Sequence, residues 1–175
     1  KFIYEYLDHL YFYKDYVKEK QIAKMMFEYY NKFEQFDKLD YDDISDDPNV
    51  KNLNSDQKIG VINAFNNIFS IITGFPGVGK TTTVKSIRSI CNKRDENIVV
   101  IAPTGKVVLK ITNDLNNFQN QNNFDQVYTI HKFVNFLKII NSDNYKNSNN
   151  KHLSHIEDID VLVIDELSMV TNDLF

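Results

Sequence analysis

The sequence has 175 residues, of which 42% are hydrophobic and 25% charged, the balance of one folded domain with its own core. A formal net charge of −4 argues against a broadly basic coat for nucleic acid, and no apolar run reaches the roughly 18 residues that cross a bilayer. The single cysteine, Cys91, excludes an internal disulfide framework and any multi-cysteine metal centre, so an intracellular protein with no membrane partner is the simplest expectation.

The chain starts without methionine, shows no secretory signal, and stops just after a strong motif, which reads as a piece of something longer. Residues 1–47 carry 7 lysines against 12 acids, whereas residues 48–175 carry 13 basic residues against 12 acids, so the acidity sits in the N-terminal segment. The asparagine clusters at 116–117, 120–123 and 147–150 reflect composition and say nothing about chemistry. Glycine is more telling. Of five glycines, Gly74, Gly77, Gly79 and Gly105 fall in two short loops together with Pro76 and Pro103, where the backbone must need special geometry.

In chain order, apolar spacing through Leu10, Tyr13, Val17, Ile22, Met25 and Tyr29 predicts a helix from about Leu7 to Phe36. Eight of the ten tyrosines lie in the first 41 residues, an aromatic load suited to packing rather than to base stacking. Asp37 to Pro48 is acidic and turn-rich and reads as a linker, which divides the chain into a helical segment at 1–48 and a second unit at 49–175. Asn54, Ser55, Asp56 and Gln57 make a helix start with capping-box spacing. Phe69 to Thr73 is apolar and β-branched and predicts a buried strand, followed by a helix from Lys80 to about Lys93. Asn97–Ala102 is a second predicted strand, with a helix after Gly105. Thr129-Ile130-His131 leads into an amphipathic stretch, Phe133–Ile140, then a polar loop at 141–151. Asp160–Ile164 is a third predicted strand. Strands alternating with helices at this spacing imply a parallel α/β sheet.

The central motif is Gly74-Phe75-Pro76-Gly77-Val78-Gly79-Lys80-Thr81, which fits G-x-x-x-x-G-K-[ST] at every fixed position. Its glycines let backbone N–H groups curl around phosphate oxygens, and the following helix N-terminus favours anions. Lys80 is placed to reach the β- and γ-phosphates, and the Thr81 hydroxyl to ligate Mg²⁺. The strand ending Val163-Ile164-Asp165-Glu166 puts acids where α/β sheets bind ligands. Asp165 would hold the magnesium shell, and Glu166 would orient and polarise the attacking water. His9, His131, His152 and His155 lack partners at metal-ligand spacing, and Cys91 reads as a small buried residue.

Together these motifs resemble a superfamily 1 helicase of the RecD-like group from Leu53 onward, with the Pif-like helicases as near neighbours. Leu53–Gln57 resembles the opening Q-type motif, which implies adenine recognition by Gln57. Ile71–Thr83 resembles motif I, which implies nucleotide contacts from Gly74, Pro76, Gly77, Val78, Gly79, Lys80, Thr81 and Thr82. Ala102–Lys106 is similar to motif Ia and Thr129–His131 to a further DNA-contact motif, which implies that Pro103, Thr104, Lys106 and His131 touch single-stranded DNA. Ile164–Val170 resembles motif II. Tyr16–Lys24 is loosely similar to the helix before the motor in longer members.

The resemblance implies a P-loop NTPase of RecA-like fold, with a parallel sheet flanked by helices and preceded by a helical segment. It also implies ATP and Mg²⁺ as ligands, 5′–3′ movement on single-stranded DNA, and further helicase domains in the same chain. Phe75 stands where a small residue is usual, and Val107-Val108 where paired alanines are usual. A second motor domain would supply the arginine that stabilises the transferring phosphate, because Arg88 and Arg94 are the only arginines here and sit poorly for it. Two other classes share the phosphate loop: a nucleotide or small-molecule kinase, and a nucleotide-gated scaffold without motor activity. A kinase lid would be rich in arginine, and the intact Lys80, Asp165 and Glu166 do not suit a degenerate scaffold.

Overall fold

The computed structural model describes residues 3–6, 9–32, 38–116, 126–146 and 153–170. The N-terminal segment departs from the predicted single helix. β1 (Ile3–Tyr6) and β2 (His9–Phe12) form an antiparallel ladder with Tyr4 opposite Tyr11, and α1 begins only at Tyr13 and runs to Lys32. Leu10, Tyr11 and Phe12 have apolar spacing that also fits a helix, but their β-propensity finds a matching strand in Ile3–Tyr6. The remainder of the predicted helix, 33–36, lies outside the described residues.

The acidic stretch read as a linker is packed where it is described. α2 (Tyr41–Ile44) and α3 (Pro48–Lys51) follow one another, and Leu39, Ile44, Val50 and Leu53 are buried with Val61, Ile87, Ile90 and Cys91. Asn66 clamps Leu39 from both sides of its peptide, accepting from its N–H at 2.7 Å and donating to its carbonyl at 2.9 Å. The acids occupy turn and cap positions while the few apolar residues between them face the core, which composition alone cannot separate.

α4 (Ser55–Asn66) starts as its cap predicts. The Asn54 side chain accepts from Gln57 N–H at 2.9 Å and Gln57 Oε1 accepts from Asn54 N–H at 3.0 Å. The next predicted strand is absent. Residues 69–73 pair with no strand among the described residues, and Phe69 and Ile71 are 44% and 80% exposed. An apolar β-branched run becomes a strand only if a neighbouring backbone takes up its hydrogen bonds.

α5 (Lys80–Lys93), β3 (Ile98–Ala102), α6 (Gly105–Asn116), β4 (Val127–Thr129), α7 (Ile130–Ile140), α8 (Asp143–Lys146), α9 (Ser154–Glu157) and β5 (Val161–Ile164) complete the order, with a 3-10 turn at Leu167–Met169. The sheet is parallel, in the order β4-β3-β5, and helices flank it, as the α/β expectation requires. β3 is its centre, and all five of its residues are buried. Its side chains alternate between faces. Val99 and Ile101 meet Ile130, Phe133, Leu153 and Ile156 on one face, and Val100 and Ala102 meet Ile111 and Leu115 on the other. Removing each such valine or isoleucine from water contributes about 1.5–3 kcal/mol.

One buried charge ties the outer helices to α5. The Asp47 side chain is 1% exposed and caps α3 by accepting from Asn49 N–H at 2.8 Å. It also accepts from the Ser89 hydroxyl at 2.8 Å and pairs with Lys93 Nζ at 2.9 Å. Burial pushes its carboxyl up, but Lys93, Ser89 and the Asn49 amide together outweigh burial and hold it below the ordinary aspartate value. A depressed carboxylate contributes stability that is complete above its unfolded pKa of about 4 and is lost as pH falls through the lower native value. Asp47→Asn should therefore lower stability at pH 7 by about 2–3 kcal/mol and flatten the acid side of the stability profile below about pH 4, read by urea unfolding at several pH values. An unchanged acid limb would show that Asp47 does not carry it.

Candidate nucleotide-binding site

The site is assembled by the direction of α5. Val84, one turn into this helix, packs in the cluster of Val100 and Ala102, whereas Ile90 and Cys91, near its end, pack with Ile98. α5 thus runs antiparallel to β3, and its N-terminus lies at the carboxyl edge of the sheet. The parallel register brings the other motif loops to that edge, because Ala102 stands opposite Thr129 and Ile101 opposite Ile164. Pro103, Thr104 and Lys106 follow β3, His131 follows β4, and Asp165 and Glu166 follow β5. This is the position at which open α/β sheets bind ligands.

The loop before α5 is open to solvent from Gly74 to Val78. Gly77 and Gly79 adopt φ of +81° and +91°, the left-handed conformation that turns successive N–H groups toward one side. Gly79 is the N-cap of α5, and its carbonyl accepts from Thr83 N–H at 3.1 Å and from the Thr83 hydroxyl at 3.3 Å. Lys80 folds its ammonium back over the loop, donating to the carbonyls of Gly74 at 2.8 Å and Phe75 at 3.1 Å. Gln57 reaches the same loop from α4, with Nε2 donating to the Val78 carbonyl at 3.0 Å. Both ends of its amide are therefore engaged within the protein. The amide still has a second N–H and a second lone pair, so these two bonds are compatible with adenine recognition by Gln57.

Asp165 is half-buried and anchored by its N–H to the Ile101 carbonyl at 2.9 Å. Glu166 is exposed and adopts φ +53° and ψ +42°, a left-handed conformation that costs a non-glycine residue energy and recurs at functional sites. Its carbonyl accepts from Met169 N–H at 2.9 Å, which starts the 3-10 turn. Thr81 and Asp165 are hard oxygen donors suited to magnesium, which commonly takes one or two protein ligands plus phosphate oxygens and water. Among the described residues no three His, Cys, Asp or Glu side chains are grouped to hold a metal, and a site of that kind does not need such a group.

The residues expected to contact DNA have structural duties too. The Thr104 hydroxyl accepts from Val107 N–H at 3.3 Å and the Thr129 hydroxyl accepts from Lys132 N–H at 3.2 Å, capping α6 and α7. Lys106 and His131 are exposed. Sequence reasoning passed over Lys132, whose ammonium stands 5.3 Å from the Tyr128 ring centre and 5.5 Å from that of Phe136. The spacing 128, 132, 136 was its only signal. Cys91 is fully buried, and its thiol is pushed up to about 12 by burial and by neighbouring Glu96, so it packs and does not react.

Comparison with known proteins agrees with this geometry. The profile of the AAA domain matches residues 57–175. The RecBCD enzyme subunit RecD of Buchnera aphidicola is 34% identical over 178 residues, covering 94% of this chain and 28% of its own length. The RecBCD enzyme subunit RecD of Haemophilus influenzae is 31% identical over 116 residues, covering 62% of this chain and 18% of its own length. An uncharacterized protein of Methanocaldococcus jannaschii is 32% identical over 120 residues, or 65% of this chain and 10% of its own. The chain thus spans between about a tenth and a quarter of the curated relatives it matches. With the phosphate loop, the acidic strand end and the loops between them at one sheet edge, the chain belongs to the AAA-domain family, among the RecD-like superfamily 1 helicase motor domains.

Proposed function

We propose that this chain is the ATP-binding part of the first motor domain of an intracellular helicase that moves 5′ to 3′ along single-stranded DNA, working with further helicase domains of the same protein. The convergence of the Gly74–Lys80 loop and the Asp165-Glu166 strand end on the carboxyl edge of one parallel sheet supports this most directly. Both RecD relatives carry names of a RecBCD enzyme subunit, which favours DNA over the other polymers a motor could follow.

The roles follow from the chemistry of the side chains. The triphosphate would enter the open loop and meet the N–H groups of Gly77 and Gly79, while the Val78 N–H, which donates to the Phe75 carbonyl at 3.4 Å, would exchange that partner for a phosphate oxygen, with Gly74, Pro76 and Thr82 shaping the rim. Lys80 exchanges the Gly74 and Phe75 carbonyls for the β- and γ-oxygens, trading two neutral acceptors for charged ones. Thr81 and Asp165 would hold magnesium, which would supply positive charge against the negative charge that builds as the γ-phosphoryl leaves. Glu166 orients the attacking water and draws off its proton. Pro103, Thr104, Lys106 and His131 contact the DNA backbone, Thr104 doing so while its hydroxyl caps α6.

Neither arginine is placed to steady the transferring phosphate. Arg94 bonds Glu96 at 2.6 Å and lies 5.7 Å from the Phe65 ring centre, and Arg88 lies inside α5. That group comes from the second motor domain, and such an arginine is worth about 10³–10⁵ in rate.

Three measurements test these assignments. In the full-length protein Glu166→Gln should bind ATP within about threefold of wild type while losing about 10²–10⁴ in turnover; normal hydrolysis would remove Glu166 from its role. Lys80→Ala should weaken Mg·ATP binding by about tenfold or more, measured by calorimetry, and unchanged affinity would place the triphosphate elsewhere. Single-stranded DNA should stimulate the ATPase of the full-length protein, and an ATPase indifferent to every nucleic acid would exclude the motor.

A further inference from the structure

We propose that Gln57 is a positioning residue for the phosphate loop, acting through the Val78 carbonyl, so that it serves the triphosphate as well as any base. This rests on the reading above that the loop holds phosphate.

The peptide between Val78 and Gly79 is trans and planar, so its carbonyl and its N–H point in opposite directions. Gln57 Nε2 holds that carbonyl at 3.0 Å on the α4 side. The Gly79 N–H is thereby turned the other way, toward the space an anion would fill. The following peptide is fixed as well, because the Gly79 carbonyl is held by Thr83 N–H and by the Thr83 hydroxyl. Two successive peptides of the loop are thus set before any ligand arrives, and a preset donor loses no freedom when it binds.

Gln57 is suited to this because it cannot turn over. Its Oε1 accepts from Asn54 N–H at 3.0 Å, and its own N–H donates to Asn54 Oδ1 at 2.9 Å. Flipping the amide would set its NH₂ against the Asn54 N–H and its oxygen against the Val78 carbonyl, losing both bonds. The capping box of α4 therefore fixes the side chain that fixes the loop. Gly79 records the same contact, because a Cβ there would overlap Gln57 Nε2. The φ of +91° favours glycine at position 79, and a side chain there would displace the Gln57 amide from the Val78 carbonyl.

Inorganic tripolyphosphate with Mg²⁺ offers a phosphate chain without a base, which separates the two roles. Titrated calorimetrically into the full-length protein, it should bind wild type, and Gln57→Met should weaken tripolyphosphate and ATP in the same proportion, by about five- to tenfold. A residue that reads only adenine would weaken ATP alone and leave tripolyphosphate within twofold, which would overturn the proposal. Failure of the wild-type chain to bind tripolyphosphate would instead overturn the phosphate-loop reading itself. Asn54→Ala loosens the α4 cap but leaves the Gln57–Val78 bond available. It should lower the melting temperature while keeping tripolyphosphate affinity within twofold of wild type, and a loss as large as that of Gln57→Met would assign the effect to helix fraying and defeat the proposal.

Discussion

The burial of β3 on both faces is the constraint from which the site follows. A central parallel strand with no exposed residue must be covered by helices on each side, and each helix must return the chain to the opposite edge. α5 therefore descends while β3 rises, and the loop that starts α5 can only lie at the carboxyl edge. The same rule carries Thr104 and Thr129 there at the starts of α6 and α7. Register then decides which side chains arrive. Ile164 beside Ile101 sends the isoleucine into the core, and the next residue, Asp165, leaves the strand at the edge. A slip of one residue would exchange an acid for an isoleucine in the crevice.

Features coded by local geometry were legible in the sequence, and features that depend on a distant partner were not. The Asn54–Gln57 cap, the glycines of the phosphate loop and the start of α5 each involve a handful of adjacent residues whose types allow few conformations. The apolar run at 69–73 satisfies every local criterion for a strand, yet its pairing is a property of whatever lies beside it, and among the described residues nothing does. β4 failed in the other direction. Val127–Thr129 is too short to signal a strand and exists because β3 offers it a ladder. Residues 9–12 had spacing that suited helix and strand equally, and only the register with Ile3–Tyr6 separates the two. Leu39 and Ile44 were hidden among acids whose charge pointed to solvent, although both side chains are buried in the core.

The motif residues were easier to locate than to interpret. Gln57, Thr104 and Thr129 sit where pattern matching puts them, but each side chain is engaged with a backbone group of a loop or helix start. A polar residue at such a position satisfies donors that would otherwise be orphaned, so it is constrained by folding before any ligand is considered. Residue type and spacing do not separate the two duties. Gln57 shows why, since the group it holds is a main-chain carbonyl that no sequence pattern displays.

The same helix starts explain how a chain with a net charge of −4 can present an anion-seeking edge. α5, α6 and α7 all begin at the carboxyl edge, and each contributes unpaired N–H groups and a partial positive charge there. Lys80 and Lys106 add two formal positive charges there and Asp165 and Glu166 two formal negative ones, so the oriented peptides carry the attraction, while much of the remaining acidity lies in residues 1–47, before α4. Attraction built from oriented peptides acts within a turn of the helix end and fades quickly beyond it. It can hold a triphosphate or a strand backbone that is seated correctly without drawing nucleic acid broadly to the surface. For the translocase proposed here, such a grip has the advantage of being breakable. A few short-range contacts can be made and released as the nucleotide site changes state, whereas a large basic face would hold the strand through every step.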